Sequence, residues 1–136
     1  PLMESVKLKI KSEKLENSIV LTGYLFDGPK KYKIFAQSKV VVHPAFYDSG
    51  GMAAAEAMAF ELPAVGFALK SFQSYYPQGM IKVKIGDISS FAKCLVELLN
   101  NTEKRIKLGE QASKMIEQNW SWDQRAKDVF LKINSI

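Results

Sequence analysis

A single cysteine and a single histidine occur in 136 residues, and no long apolar run is present. Each scarcity excludes something. Cys94 alone cannot close an internal disulfide, so a packed core has to supply the stability. It lies in the apolar-periodic stretch FAKCLVELL, residues 91–99, which reads as packing; a nucleophilic thiolate needs a basic or helix-terminal setting that nothing nearby supplies. No set of His, Cys and carboxylate residues has metal-ligand spacing. His43 stands at a strand end before Pro44 with no acidic partner close in sequence, which reads as a structural histidine rather than an acid or base. Ser49 lacks the G-x-S-x-G setting of a hydrolase nucleophile and reads as a loop or capping serine. No stretch approaches the roughly 20 apolar residues that span a bilayer, and residues 1–10 lack the hydrophobic segment of a signal peptide. The expectation is a soluble, cytoplasmic protein.

What is present agrees with one compact unit, and residues 1–136 are read as a single domain: at 47% hydrophobic the chain can bury a core. A net charge of +5 and a pI near 9.3 suit a nucleotide diphosphate, an anionic membrane surface or nucleic acid alike. The lysines are dispersed, however. Lys7, Lys9, Lys11 and Lys14 alternate with Val6, Leu8, Ile10 and Leu15 in an amphipathic helical pattern, the mark of a solvated face. Tyr24, Tyr32, Tyr75 and Tyr76 are too scattered to interleave with a basic cluster, which argues against a nucleic-acid partner.

Strand and helix patterns alternate along the chain. A helix over residues 2–14 precedes a strand at Ile19 to Thr22, and Gly28-Pro29 starts a second helix through Gln37, with proline suited to a first turn. The β-branched run Val40 to His43 is a strand, and another follows Pro63 at Ala64 to Phe67, with a helix between them. That order predicts a parallel pair. Ser71 to Gly79 reads as a loop and Met80 to Lys84 as a short strand. Asp87 or Ser89 caps a helix with Ile88, Phe91, Leu95, Leu98 and Leu99 on its apolar face, and Asn101 or Thr102 starts another. Ser121 and Gln124 have capping-box spacing ahead of Ala126, Val129, Phe130 and Ile133, the expected buried stripe of a last helix. Trp120 and Trp122 bracket that helix start, where burial against the preceding helix explains them better than sugar stacking.

The segment Asp48 to Val65, DSGGMAAAEAMAFELPAV, carries the most chemistry. Its alanines give high helix propensity, and Glu56 is the only charge between Met52 and Phe60. A helix apolar almost all round is a buried one, and a carboxylate on it must reach an edge or be matched by donors such as sugar hydroxyls. Gly50 and Gly51 remove side chains at the helix start, where backbone amides and the positive end of the dipole can approach an anion. A second reading stays open on these residues alone: a surface helix packed by its alanines, with Glu56 solvated and the glycines in an ordinary turn.

The same segment resembles the signature of family-four glycosyltransferases, retaining enzymes of the GT-B fold that use nucleotide sugars. Their pattern is roughly E-x-F-G, four residues, then E-A-M-A-x-G-x-P-V. Asp48 stands at the first acid, Gly51 at the motif glycine and Glu56 at the second acid, with Ala57, Met58, Ala59 and Pro63 completing the match. Seven residues separate the two acids. IVLTGY (19–24), AQSKVVVHP (36–44) and WSWDQRA (120–126) extend the similarity over nearly the whole chain. The resemblance implies an α/β fold: a Rossmann-like parallel sheet with flanking helices, the partial C-terminal domain of a GT-B glycosyltransferase. It implies that Glu56 binds the nucleotide ribose, that the Ser49, Gly50, Gly51 and Met52 segment faces the phosphate or donor sugar, and that Asp48 contacts the sugar. The donor is a nucleotide-diphosphate sugar, UDP- or GDP-linked, with no metal or other cofactor required. The acceptor is a saccharide or a lipid-linked sugar, and the latter suits peripheral attachment to the membrane.

Departures from the pattern are informative. Asp48 is one methylene shorter than the usual Glu, Ser49-Gly50 replaces Gly-Phe, and Glu61 stands where Gly is usual. The Arg/Lys loop that grips the donor diphosphate has no counterpart here, nor has the N-terminal acceptor domain, and the first residue is Pro1. The expectation is therefore an N-terminally truncated piece, incomplete and inactive by itself. Lys70 and Lys82 are the available cations near the motif, and both read as solvated surface residues. Two other functions remain: a degenerate nucleotide-binding module that has lost transfer, and a structural domain that keeps the fold alone.

Overall fold

The computed structural model describes residues 2–135. In order they form α1 (Leu2–Ser12), α2 (Pro29–Gln37), β1 (Val41–His43), α3 (Met52–Met58), β2 (Ala64–Phe67), α4 (Lys70–Tyr75), β3 (Met80–Val83), α5 (Ile88–Asn100), α6 (Thr102–Asn119) and α7 (Trp122–Ile133). They divide into two compact units, one up to Tyr32 and one from Lys33 onward.

In the first unit α1 forms where the amphipathic pattern predicts, and no residue of it is buried. Its ion pairs, Lys7 with Glu4 at 3.0 Å and Lys9 with Glu13 at 2.7 Å, are solvent-exposed and contribute little. The strand expected at Ile19 to Thr22 does not form: the backbone there has no regular structure, and Val20 is 86% exposed. A β-branched run is only a fit to a pleated surface, and it needs a partner for its N–H and C=O groups. The described strands pair only with one another.

The second unit is built on a parallel three-stranded sheet in the order β1-β2-β3. β2, the central strand, is wholly buried. Its side chains alternate as the pleat requires. Ala64 belongs to a core cluster with Ala54, Met58, Phe72, Tyr76, Ala112 and Met115, from α3, α4 and α6. Val65 and Phe67 belong to another with Val83, Phe91 and Leu98, against α5. Helices thus cover both faces, the arrangement parallel sheets need. Cys94 packs half-buried against the second cluster, as its periodic position predicts.

Ser71 to Gly79 is not simply a loop. α4 occupies its first part, too short for a hydrophobic period to announce it, and is held by burial of Phe72 and Tyr76. Glu61, in the turn that follows α3, is left-handed at φ 59°, which explains why glycine is usual there. Asp87 and Asn101 cap α5 and α6, accepting from the amides of Ser90 and Lys104. At α7 only half of the capping box forms: the Ser121 hydroxyl accepts from the Gln124 amide at 3.3 Å, while the Gln124 side chain donates to Asp128. The apolar stripe on α7 is exposed, Phe130 by 67% and Ile133 by 66%. Amphipathic spacing reports which face a helix could bury, and no described element packs over this one.

Candidate functional site

The site lies beyond the carboxyl end of β1, where open parallel sheets bind ligands. After His43 the chain turns out of the sheet at Pro44 and returns at Asp48 to start α3. Asp48 organises this return. Its Oδ1 accepts from the amides of Gly50 (2.8 Å) and Gly51, and its Oδ2 is 2.8 Å from His43 Nε2. The two backbone amides hold the Asp48 carboxyl below the usual carboxylate range; His43 adds to the effect and partial burial opposes it. The acidic partner that His43 lacks in adjacent sequence is therefore supplied five residues on by the loop's fold.

α4 grips the same loop from the next crossover. The Ser71 hydroxyl donates to the Asp48 carbonyl at 2.9 Å. The Tyr76 hydroxyl lies 2.6 Å from the Gly50 carbonyl and 2.8 Å from the Gly51 carbonyl, sharing its proton between them. Burial first, and the nearby Asp48 charge second, push the Tyr76 pKa up, so the hydroxyl stays a donor. Lys82 is not the solvated lysine expected: its ammonium donates to the Tyr76 carbonyl at 2.5 Å, and burial lowers its pKa. It projects from the same face of β3 as Met80, toward the α4 side, because strand side chains alternate. Lys70 is exposed.

Gly51 is required by this packing. Its φ of 65° is left-handed, and a Cβ would meet the Phe72 ring at 2.9 Å and the Tyr76 hydroxyl at 3.2 Å. Gly50 has open space. Gly51→Ala is therefore expected to destabilise the domain by about 2 kcal/mol, from left-handed strain plus displacement of a buried ring. Gly50→Ala should change little. Urea unfolding of the two variants checks the contrast; equal midpoints would show that the loop adapts freely.

Beside the loop is a pocket of about 440 Å³. Ser49, Gly50 and Met52 line its loop side, and Ala55, Glu56 and Ala59 line it from α3. Tyr75, Ile116, Trp120, Trp122 and Arg125 form the remaining wall. Of the residues singled out by sequence, Ser49, Gly50, Met52 and Glu56 thus share one cavity. Asp48 and Gly51 do not line it; they hold its loop from beneath, and the amides of Gly50 and Gly51 are given to Asp48. The aromatic wall and Arg125 were not foreseen. Trp122, expected to be buried, is 81% exposed. Trp120 is half-buried and stacks on Tyr76, ring centroids 5.5 Å apart and 20° between planes. The clustering of two tryptophans and an arginine within six residues was the available signal, but only the return of α6 to α3 puts it opposite Glu56.

A parallel sheet covered on both faces, with a ligand-sized pocket at a strand's carboxyl end, defines a Rossmann-like binding domain. Residues 1–115 match the family model of glycosyl transferases, group 1, and the chain belongs to that family. Among solved structures it is similar to TarM, with 22% identity and a TM-score of 0.82 over 93% of this chain and 26% of that one. It is also similar to sucrose-phosphate synthase from Thermosynechococcus elongatus, with 17% identity and a TM-score of 0.81 over 97% of this chain and 34% of that one. The fold is that of a GT-B glycosyltransferase C-terminal domain. The chain spans about a quarter to a third of the length of these two structures. No curated protein matches it. No helix among the described residues is long and apolar enough to cross a membrane.

Proposed function

We propose that this domain binds the nucleoside diphosphate of a UDP- or GDP-linked sugar and supports retaining transfer of the glycosyl group to a saccharide or lipid-linked acceptor. The reading is carried by Glu56: a carboxylate on an otherwise apolar helix, lining the pocket with Ser49 and Gly50 at its side. Ribose hydroxyls are the donors such a group takes. In this reading Asp48, which holds the loop beneath the pocket, reaches the donor sugar through its last acceptor site, since three of a carboxylate's roughly four are already used. No metal is required in this reading, because the developing diphosphate charge is met by amides at the start of α3 that Asp48 does not engage and by cationic side chains. An N-terminal domain would supply the acceptor site, and the protein would act in the cytoplasm, in solution or at the membrane surface.

The engagement of Asp48 by His43 and the loop amides favours one alternative, a module that binds nucleotide without transfer because this acid serves as a clamp. Donor binding without glycosyl transfer by the protein that carries this domain would distinguish it.

The test is a titration followed by amide shifts, adding uridine, guanosine and adenosine diphosphates and their sugar conjugates to this chain. Shifts over residues 50–56 are expected with one base preferred. Glu56→Ala should weaken binding tenfold or more, in line with about 1.5–3 kcal/mol for a charge-assisted hydrogen bond. No shift with any nucleotide would overturn the reading, as would unchanged affinity in the variant.

A further inference from the structure

We propose that His43 is a positioning residue for the donor sugar: by tying Oδ2 of Asp48 to the end of β1, it fixes the direction in which that carboxylate offers its last acceptor site. The inference deepens the function proposed above and rests on its reading of Asp48 as a sugar contact. An ionised carboxylate only accepts, so Nε2 of His43 carries the hydrogen of the 2.8 Å bond between them.

The two oxygens of Asp48 are held from different places. Oδ1 accepts from the amides of Gly50 and Gly51, two and three residues on, and those bonds travel with the loop. Oδ2 is bonded to the sheet. His43 is the last residue of β1 and stands in register with Gly66 of the buried strand β2. Its ring packs on that of Phe72 from α4, with centroids 5.4 Å apart and 55° between planes, and Phe72 is itself fully buried. A binding group is preorganised when its supporting side chain is locked by packing of this kind. Without the imidazole the carboxylate keeps its local partners and loses its reference to the sheet, and the broad torsion about its terminal bond lets Oδ2 turn. The side chain of His43 is 18% accessible against 26% for Asp48, which suits a residue that acts through the acid instead of touching the sugar.

The experiment measures, by calorimetry on this chain, the affinities of uridine diphosphate against UDP-glucose and of guanosine diphosphate against GDP-mannose, in the native sequence, His43→Asn and His43→Gln. Both replacements are polar amides, but only glutamine is long enough to carry a donor to the place of Nε2. For the preferred base, the ratio of sugar-nucleotide to diphosphate affinity is expected to fall about threefold to tenfold in His43→Asn, the range of one hydrogen bond. Diphosphate affinity should stay at the native value, and His43→Gln should restore the ratio. An unchanged ratio in His43→Asn would overturn the assignment and leave His43 as part of the loop clamp alone. An equal loss for diphosphate and sugar nucleotide would also overturn it, since that is the pattern of a packing role, as would a glutamine variant no better than asparagine. Failure of every nucleotide to bind the native chain would remove the donor site itself, and the inference with it.

Discussion

Gly109→Ala is expected to destabilise this domain by about 3 kcal/mol or more, although alanine is the better helix former by roughly 1 kcal/mol. The two effects have opposite signs, so the experiment decides between them. Gly109 is buried within α6, and a Cβ there would lie 2.1 Å from the Glu61 carbonyl oxygen and 3.5 Å from the Pro63 ring. Those atoms belong to the turn entering β2, which Glu61 already holds in a left-handed conformation, and they cannot rotate aside as a side-chain tip can. α6 would have to retreat, and Ala112 and Met115 would withdraw from the core with it. Gly79 marks the same close approach at the entrance to β3: its φ is 76°, and a Cβ would lie 2.3 Å from the Ala112 Cα. Against a typical total of about 5–15 kcal/mol, such a loss lowers the urea midpoint severely. A midpoint for Gly109→Ala at or above that of the native chain would show that α6 does not seat on these backbones.

Asp48→Ala should cost about 3 kcal/mol near neutral pH. It strips the acceptor from two loop amides and from His43, and hydrogen bonds to a charged group contribute roughly 1.5–3 kcal/mol each when their loss is not made good by water. The loss has a defined pH dependence. The folded pKa of Asp48 is below its ordinary value of 3.8, held there chiefly by the Gly50 and Gly51 amides. A depressed acid contributes stability that is fully present above the unfolded pKa and fades as pH falls through the folded one. The stability difference between native chain and variant should therefore be flat above about pH 5 and shrink below pH 4. Asp48→Asn keeps the oxygen that caps the loop but not the charge, so it should cost less and lack Asp48's contribution to the acid dependence. Chemical unfolding between pH 3 and 7 reads both. A native-to-alanine gap that stays constant down to pH 3 would remove the ionised clamp.

Much of this architecture is legible in the sequence because burial writes periodicity. AVGF followed by a second short apolar run gave two neighbouring strands, and the capping residues Asp87, Asn101 and Ser121 marked helix starts through chemistry local to a few residues. IVLT failed for the complementary reason, since a strand is a property of a pair and local propensity cannot supply the partner. α4 was missed because a helix of six residues carries no usable period, and its stability comes from Phe72 and Tyr76 reaching across to another loop.

The candidate site divides in the same way. Sequence alone determined the glycine start of α3, the lone carboxylate Glu56 and the order of elements around them, because helix propensity, chain flexibility and charge reside in the residues themselves. Only tertiary structure decided that Asp48 turns inward to His43 and the loop amides, that Tyr76 bridges Gly50 and Gly51, and that Trp120, Trp122 and Arg125 stand opposite Glu56. These pairings join positions 2 to almost 70 residues apart, and the geometry of the distant ones depends on how closely α6 approaches the sheet. That approach is set by two glycines whose significance is the absence of a side chain, something visible only once the facing backbone is in place.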